Sequence, residues 1–335
     1  MELGGTGAGR RPTLEDVAAA TGLSRSLVSL VMRGAPTGAT AETRERVLKA
    51  AAEIGYRPDA RARLLASGQS RLIGVVFGMT GRFHLEFLDG LYVAAKQADY
   101  QLILSALTPR RGEGEAVETL LDFRCEAAII LAPDRAAAEL AGRLPVVTVG
   151  WHVKNPAVDV VRTSDDEGMR QAVDHLVGLG HRAILHVDGG LGPVSSSRRR
   201  GYRAAMRRHG LEQEIRVVRG GITQEDGSSA ARYLLAASSP PTAVIAYNDD
   251  VAAGIVETLG GADVSVPDTM SVVGWDDSSL ARLPHVNLTT VAQDADEMTR
   301  LAVERSVARI HNKPVSDREQ VLRPRLVVRG STAAP

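Results

Sequence analysis

The sequence predicts a small all-α headpiece joined to a larger α/β core with parallel sheets. Two observations indicate this division. Three short amphipathic segments, each preceded by a residue that can cap a helix, fall within residues 13–57. From Arg71 onward, stretches of branched and aliphatic residues alternate with helical stretches. Such alternation is typical of a parallel sheet that is covered by helices on both faces.

The composition limits the function classes only in part. The chain has 335 residues, 44% hydrophobic and 24% charged, which is an ordinary globular mixture long enough for more than one core. Lys plus Arg equals Asp plus Glu at 40 each, but residues 1–68 hold 10 basic against 7 acidic side chains. This headpiece is only modestly basic. Two headpieces acting together are therefore favoured over a monomer that binds a polyanion by charge alone.

Several classes are excluded or disfavoured. The single cysteine, Cys125, rules out an internal disulfide and a cysteine-based zinc site. The histidines lack metal-ligand spacing, and no nucleophile elbow, phosphate loop or dinucleotide fingerprint is found, so we expect no enzyme, no metal and no cofactor. Paired carboxylates such as 165–166, 249–250 and 276–277 are interpreted as helix caps. No apolar run or signal-peptide core is present, so a cytoplasmic protein is expected.

Residues 1–12 are Gly-rich and without periodicity, which predicts a disordered leader. The stretch from Thr13 to Gly34 then has the pattern of a helix-turn-helix. Thr13 can cap a first helix together with Asp16, Gly22 suits the left-handed backbone that ends it, and Ser24 can cap a second helix. The second helix would lie in the major groove with its first residues at base edges. An ordinary helical hairpin is the alternative that this spacing alone leaves open.

A third amphipathic segment begins at Thr40, with Val47, Leu48, Ala51 and Ile54 at helical spacing. Residues 13–57 are therefore predicted to form one three-helix DNA-binding domain. The following residues, 58–70, are too short to form a stable helix in water on their own, and we interpret them as a linker.

The core is predicted to contain two successive α/β units. In the first, strands are expected at 72–77, 102–106, 127–132 and 146–150, and helices at 85–98, 113–123 and 134–141. In the second, helices are expected at 166–179, 197–209, 223–237 and 249–259, and strands at 183–188, 215–220, 243–247 and 271–275. A helix at 294–311 and a strand at 322–329 end the core.

Ligands of open α/β sheets lie beyond the carboxyl ends of the strands, so the side chains that follow the predicted strands are the candidate site. Amide, carboxylate and guanidinium groups match hydroxyls, and an aromatic ring can stack on the apolar face of a sugar. Some have structural alternatives: Asn248 could close a turn, Gln293 could bond the backbone, and 198–200 could be a solvated basic face. The candidates are Phe83, His84, Asp134, Trp151, His152, Asp188, Ser195 to Arg198, Asn248, Asp249, Trp275, Asp276, Asp277 and Gln293.

Four segments carry a family resemblance: TLEDVAAATGLSRSLVSLVMRG, TRERVLKAAAEIGYRPDARARLLASGQSRLIGVV, AYNDDVAAGI and SVVGWDD. In order and spacing the chain resembles the LacI/GalR family of transcriptional regulators from about Thr13 onward. The resemblance implies that the segment within 58–70 is a hinge helix in which Leu65 enters the minor groove of DNA as an apolar wedge. It also implies a two-lobed core similar to periplasmic sugar-binding proteins, 71–331, with an N-subdomain of about 71–161 and 293–319 and a C-subdomain of about 162–292 and 320–331.

The resemblance further implies a repressor that binds operator DNA as a homodimer and is switched by a sugar-like effector, with Arg198, Asn248, Asp276 and Gln293 as the best-supported contacts. The alternatives are a small-molecule binding protein without a DNA function and a constitutive DNA-bending protein. Leu30 stands where many members have Arg, and Arg33 partly replaces that contact. The predicted DNA contacts are Thr13, Ser24, Arg25, Ser26, Ser29, Arg33, Thr43 and Leu65, of which Arg25 and Ser26 would meet base edges.

Overall fold

The computed structural model describes residues 12–34, 37–57, 69–78, 82–131 and 135–335. The chain divides into two compact units, residues 1–70 and 71–335. Most of the predicted leader and of the predicted hinge, including Leu65, lies outside the described residues. The predicted fold class, an all-α helix-turn-helix headpiece and a two-lobed α/β core, is confirmed.

The headpiece is built from α1 (Leu14–Thr21), α2 (Arg25–Met32) and α3 (Ala41–Glu53). Its buried core consists of Val17, Val28, Val31, Val47 and Ala51. The expectation that Leu48 belongs to this core is wrong, because its side chain is 51% exposed. Successive helix positions are rotated by roughly 100°, so Leu48 turns away from the face that Val47 and Ala51 share.

The first lobe contains a six-stranded sheet in the order β11-β5-β4-β3-β1-β2, in which all paired strands are parallel. Its central strands are buried on both faces, as parallel strands under helices require. The strands are β1 (Leu72–Gly78), β2 (Gln101–Leu107), β3 (Ala127–Ile130), β4 (Val146–Val149), β5 (Val158–Thr163) and β11 (Glu319–Leu322). The helices are α4 (Arg82–Gln97), α5 (Glu113–Asp122), α6 (Arg135–Leu140) and α11 (Ala295–Ile310).

The second lobe contains a six-stranded sheet in the order β12-β10-β9-β8-β6-β7, parallel except for β12, which runs antiparallel to β10. The strands are β6 (Ile184–Asp188), β7 (Arg216–Arg219), β8 (Ala243–Ala246), β9 (Ser271–Asp276), β10 (Thr289–Ala292) and β12 (Arg325–Val327). The helices are α7 (Asp165–Gly178), α8 (Pro193–Arg208), α9 (Gln224–Leu235) and α10 (Asp249–Gly260).

The chain passes between the lobes three times, after β5, after β10 and after β11. The strands β5, β10 and β11 were not expected from the sequence, which predicted a single last strand at 322–329. Two of the three proposed subdomain boundaries fall inside strands of the first sheet, since β5 continues to Thr163 and β11 covers Glu319–Leu322. Of the residues described, none belongs to a helix long and apolar enough to span a membrane.

Candidate functional site

A cavity of about 280 Å³ lies between the two lobes, at the carboxyl ends of β1, β4, β6, β8 and β9. This is the position at which open α/β sheets bind ligands. Residues from both lobes line it, and eight sequence candidates are among them. These eight are Phe83, His84, Trp151, Ser195, Arg198, Asn248, Asp276 and Gln293. Asp134 lies outside the described residues.

The two sides of the cavity differ in chemistry. The first lobe contributes an apolar wall of Phe83, Phe87, Leu131, Val149 and Trp151. The second lobe contributes most of the polar side chains, because the turns after its strands carry them. The cavity can therefore hold a ligand that is polar on one side and apolar on the other.

Arg198, on α8, is the central cation of the polar side and is only 5% exposed. Its Nε donates to Asp165 Oδ1 at 3.1 Å and its Nη1 donates to the Tyr247 carbonyl at 2.5 Å. Its guanidinium also lies 4.7 Å from the centre of the Tyr247 ring. The alternative of a solvated basic face is therefore wrong for Arg198, although Arg200 is exposed.

The prediction that Trp275 contacts the ligand needs correction. Its side chain is completely buried and does not line the cavity. Successive strand residues point to opposite faces, so Trp275 turns away from the cleft that Asp276 faces. The Arg198 guanidinium lies 4.0 Å from the ring centre, and Trp275 therefore supports the cation from behind.

Asp276 ends β9 and accepts a hydrogen bond from Gln293 Nε2 at 2.7 Å. Burial raises the pKa of Asp276 well above its ordinary range, although Arg198 opposes this, and nearby Asp249 adds to the rise. Asp276 and Asp277 have φ values of 111° and 55°, a backbone region that non-glycine residues rarely adopt. Such conformations persist only where the surroundings enforce them, and they concentrate at functional sites.

Asn248 caps the start of α10, as the structural alternative predicted, and it also lines the cavity. Its Oδ1 accepts from the backbone N–H of Val251 at 2.9 Å, and its Nδ2 donates to the Ile222 carbonyl at 3.0 Å. Both ends of the amide are thus engaged within the protein. Asn248 therefore shapes the cleft, and the second hydrogen of its Nδ2 is the donor that remains for a ligand.

The interpretation of Asp249 and Asp277 as helix caps is wrong. Asp249 is buried and accepts from the Thr290 hydroxyl at 2.6 Å and the Ser278 N–H at 2.7 Å. Asp277 forms an ion pair with Arg329 at 2.6 Å. These carboxylates hold together the ends of β9 and β10 and the last segment of the chain.

Sequence reasoning missed the apolar residues of the second lobe that line the cavity, Leu191, Val194, Ile222 and Tyr247. Tyr247 was interpreted as part of a strand, whereas β8 ends one residue before it. Leu191 could have been found from its position between two glycines, which indicates a turn after β6. Both glycines adopt positive φ, 79° at Gly190 and 133° at Gly192.

The headpiece residues lie where the helix-turn-helix pattern predicted. Gly22 has φ 66° and ends α1, and Ser24 caps α2 by accepting from the Leu27 N–H at 3.2 Å. Arg25 and Ser26 are exposed on the first turn of α2. Arg25 forms an exposed ion pair with Glu15 at 2.7 Å, which is worth little in water and leaves the guanidinium available.

The remaining predicted DNA contacts are partly engaged within the headpiece. Thr13 donates its N–H to the Asp16 carboxylate at 2.7 Å, which matches the capping role expected of it. Arg33 donates through Nε to the Ser29 carbonyl at 3.1 Å, and the hydroxyls of Thr40 and Thr43 lie 2.9 Å apart. Arg33 thus keeps its two Nη atoms for a phosphate, and Thr43 can donate its hydroxyl to a phosphate when Thr40 is the donor of the shared hydrogen bond.

A helix-turn-helix headpiece and a two-lobed core with an interlobe cavity define the class of regulators that join a DNA-binding domain to a small-molecule-binding domain. Comparisons with known proteins agree. Residues 13–59 match the model of the lacI family of bacterial regulatory proteins, and residues 173–332 match that of periplasmic binding protein-like domains. The ribose operon repressor of Escherichia coli K12 is 30% identical over 95% of this chain and 99% of its own length.

Solved structures give the same result. A LacI transcriptional regulator from a Rhodococcus species is 42% identical, with a TM-score of 0.75 over 78% of this chain and 98% of that one. The lac repressor dimer bound to operator and the anti-inducer ONPF is 28% identical, with a TM-score of 0.83 over 97% of this chain and 100% of that one. The chain belongs to the lacI family of bacterial regulatory proteins. It is accordingly a DNA-binding transcriptional regulator and not an enzyme.

Proposed function

We propose that this protein is a homodimeric repressor whose affinity for operator DNA is switched by a small hydroxylated effector in the interlobe cavity. The observation that carries the proposal is the joint presence of a complete helix-turn-helix and a cavity with Arg198, Asp276 and Gln293 at its polar side. The relative named ribose operon repressor, which is 30% identical, supports repression and a sugar-like effector, and a second relative of 30% identity is named HTH-type transcriptional regulator GalR. A protein that binds operator DNA works in the cytoplasm, where bacterial DNA lies.

In this proposal each headpiece of the dimer binds one half-site of a near-palindromic operator. Arg25 and Ser26 meet base edges, since they are exposed on the first turn of α2. Thr13, Ser24, Ser29, Arg33 and Thr43 contact phosphates or hold the helix ends, and Leu65 is the minor-groove wedge. Effector bound in the cavity changes the orientation of the lobes and with it the affinity for operator DNA. By linkage, operator binding changes the affinity for the effector by the same factor.

The test is selection of bound duplexes from a random pool, followed by the same binding measured with a library of sugars and glycosides. Arg25→Ala is expected to relax the base preference by roughly 1–3 kcal/mol at its position. Arg46→Ala, an exposed basic residue on α3, is the matched control and is expected to leave the preference intact. Equal losses of affinity on all sequences for Arg25→Ala would refute its role at base edges.

A further inference from the structure

We infer that Arg71 is a positioning residue for operator binding, which sets the direction in which the linker, residues 58–70, joins the core, and that Glu126 holds it in place. This inference rests on the proposed function, since operator binding is the activity that the positioning serves. It is carried by the left-handed backbone of Arg71 and by the contacts of its peptide groups and its guanidinium group.

Arg71 has an unusual backbone at a place where no helix end explains it. It is the first residue of the larger compact unit and directly precedes β1. Its φ of 55° lies in the left-handed region, which costs a side-chain-bearing residue free energy and which glycine adopts readily. Asp99 and Arg124 also have positive φ, but they lie two residues after α4 and α5, where a left-handed residue commonly ends a helix. Arg71 instead follows residues 69–70, which are not helical.

The two peptide groups of Arg71 are bonded to the two strands that flank β1. Its N–H donates to Glu126 Oε1 at 2.9 Å, and its carbonyl accepts from the Gln101 N–H at 2.9 Å. Glu126 directly precedes β3, and Gln101 begins β2. The buried Tyr100 donates its hydroxyl to Glu126 Oε2 at 3.3 Å and thereby orients the carboxylate. A disfavoured backbone conformation persists only where the surroundings enforce it in this way.

The side chain of Arg71 is held on the same side as its carbonyl. The guanidinium lies 5.5 Å from the centre of the Tyr100 ring, and Nη1 lies 3.5 Å from Asp99 Oδ2. An exposed ion pair of this kind contributes little to stability. Together with the Gln101 bond, however, these contacts fix the Cα and the side chain of Arg71 against the first lobe.

The Glu126 bond has a separate effect, because φ is the rotation about the N–Cα bond. That rotation leaves the carbonyl and the side chain of Arg71 in place and swings its N–H and the preceding chain. The bond from the N–H to Glu126 is therefore the contact that fixes the direction of the linker. A linker whose direction is fixed before binding loses less conformational entropy when the headpieces bind the operator.

The first experiment measures operator affinity and denaturant unfolding of full-length Arg71→Gly, with a duplex selected from a random pool. Glycine accepts positive and negative φ equally, so the direction of the linker is no longer fixed. Operator affinity is expected to fall by at least about fivefold, the entropy cost of ordering the freed backbone. The free energy of unfolding is expected to stay close to that of the unmodified protein, because glycine removes the cost of the left-handed backbone. A residue with a merely structural role would not separate the two measurements.

Arg124→Gly is the matched control. Arg124 is an exposed arginine of the same lobe with a φ of 54°, so the substitution removes the same charge and the same backbone cost at a position away from the linker. Its operator affinity is expected to equal that of the unmodified protein.

Substitutions of Glu126 test the contact itself. Glu126→Ala removes the acceptor, and we expect it to weaken operator binding as Arg71→Gly does and to speed hydrogen exchange of the Arg71 amide. Glu126→Gln keeps an acceptor oxygen and is expected to retain both properties. Removal of a negative charge would by itself strengthen binding to DNA, so a loss in Glu126→Ala cannot be attributed to charge. The double variant is expected to lose no more affinity than Arg71→Gly alone, because both substitutions free the same rotation.

The inference is overturned if Arg71→Gly binds the operator as tightly as the unmodified protein, if Arg124→Gly weakens binding equally, or if Glu126→Gln loses as much affinity as Glu126→Ala. In each of these cases the unmodified protein still binds the operator, and the proposed function stands. An unmodified protein that binds no duplex contradicts the proposed function, and the role of Arg71 in operator binding fails with it.

Discussion

Replacement of Arg198 by methionine tests how far the cleft depends on one buried cation. Arg198 joins three parts of the second lobe, through Asp165 at the start of α7, the Tyr247 carbonyl after β8 and the Trp275 ring on β9. Methionine fills much of the same volume but supplies neither charge nor donors. The variant therefore isolates the electrostatic contribution of Arg198 from its packing.

The expected loss of stability is large. The Asp165 side chain is only 7% exposed, so Arg198→Met leaves a buried carboxylate without its cation. Breaking a buried pair from one side costs about 3–5 kcal/mol, a large part of the roughly 5–15 kcal/mol that stabilises a typical domain. Burial already raises the pKa of Asp165 and Arg198 opposes that rise, so the pKa rises further in the variant. The loss is therefore smaller at low pH, where the carboxyl is protonated, and greatest above its pKa.

Denaturant unfolding of Arg198→Met, Asp165→Asn and the double variant measures this coupling. The double variant is expected to be less destabilised than the two single variants together, because it removes both members of the pair. Effector affinity is expected to be lost with Arg198→Met and retained with Asp165→Asn, since only Arg198 lines the cavity. A loss below about 1 kcal/mol at neutral pH, together with unchanged effector affinity, would refute this account of Arg198.

Three further predictions concern the core. Effector affinity is expected to increase as pH rises through the raised pKa of Asp276, because the carboxylate accepts hydrogen bonds from hydroxyls, and Asp276→Asn should abolish this dependence in calorimetry. Burial lowers the pKa of His186 from 6.5 to about 4, so its contribution to stability is complete above pH 6.5 and is lost as pH falls towards 4. That contribution is about 3 kcal/mol, and unfolding of His186→Gln should show a weaker acid dependence. Glu86 on α4 accepts the Ser279 N–H of the second lobe at 2.8 Å, and Glu86→Ala should weaken effector binding by about 1 kcal/mol.

The Glu86 prediction has a matched control variant, and the other two predictions have outcomes that would contradict them. Asp89→Ala changes an exposed carboxylate on the same helix as Glu86 and is expected to leave effector affinity intact. An equal loss in both variants would mean that helix charge, not the interlobe hydrogen bond, is responsible. A pH-independent affinity of the unmodified protein contradicts the role given to Asp276. If the stability of His186→Gln falls with decreasing pH as steeply as that of the unmodified protein, other groups cause the loss of stability in acid.

The headpiece could be predicted from sequence because helix capping is decided by residues a few positions apart. Thr13, Gly22 and Ser24 therefore have the roles that their residue types indicated. The failure at Leu48 has a different origin. Amphipathic spacing marks a band of positions, and only the tertiary contacts of α3 decide which edge of that band is buried.

The missed strands β5 and β10 contain polar residues whose hydrogen-bond partners lie far away in the sequence. In β5 the polar Asp159 interrupts the apolar run, and its partner is Arg309 on α11, whose Nε donates at 2.7 Å from far along the sequence. In β10 the buried Thr290 donates to Asp249 at 2.6 Å. A polar residue within an apolar run suggests an exposed position, and only the distant partner explains why the residue is buried.

The candidate site was predictable to the extent that it follows from sheet geometry. The rule that ligands lie beyond the carboxyl ends of strands places Asp276 and Arg198 in the cleft without any knowledge of side-chain packing. It could not separate Trp275 from its neighbour, since that depends on which face of β9 each side chain takes. It also missed Leu191 and Tyr247, because a search for polar residues passes over apolar walls.

The positions of the cleft residues give a physical basis for coupling ligand binding to lobe orientation. Arg198 bonds Asp165, which begins α7 directly after the first passage between the lobes. Gln293, which bonds Asp276, lies in the second passage, between β10 and α11. A ligand that engages Arg198 and Gln293 therefore contacts the second connecting segment directly and acts on the end of the first one through Asp165. A ligand whose contacts are kept in only one lobe orientation shifts the equilibrium towards that orientation, because only a difference in affinity between two states can do so.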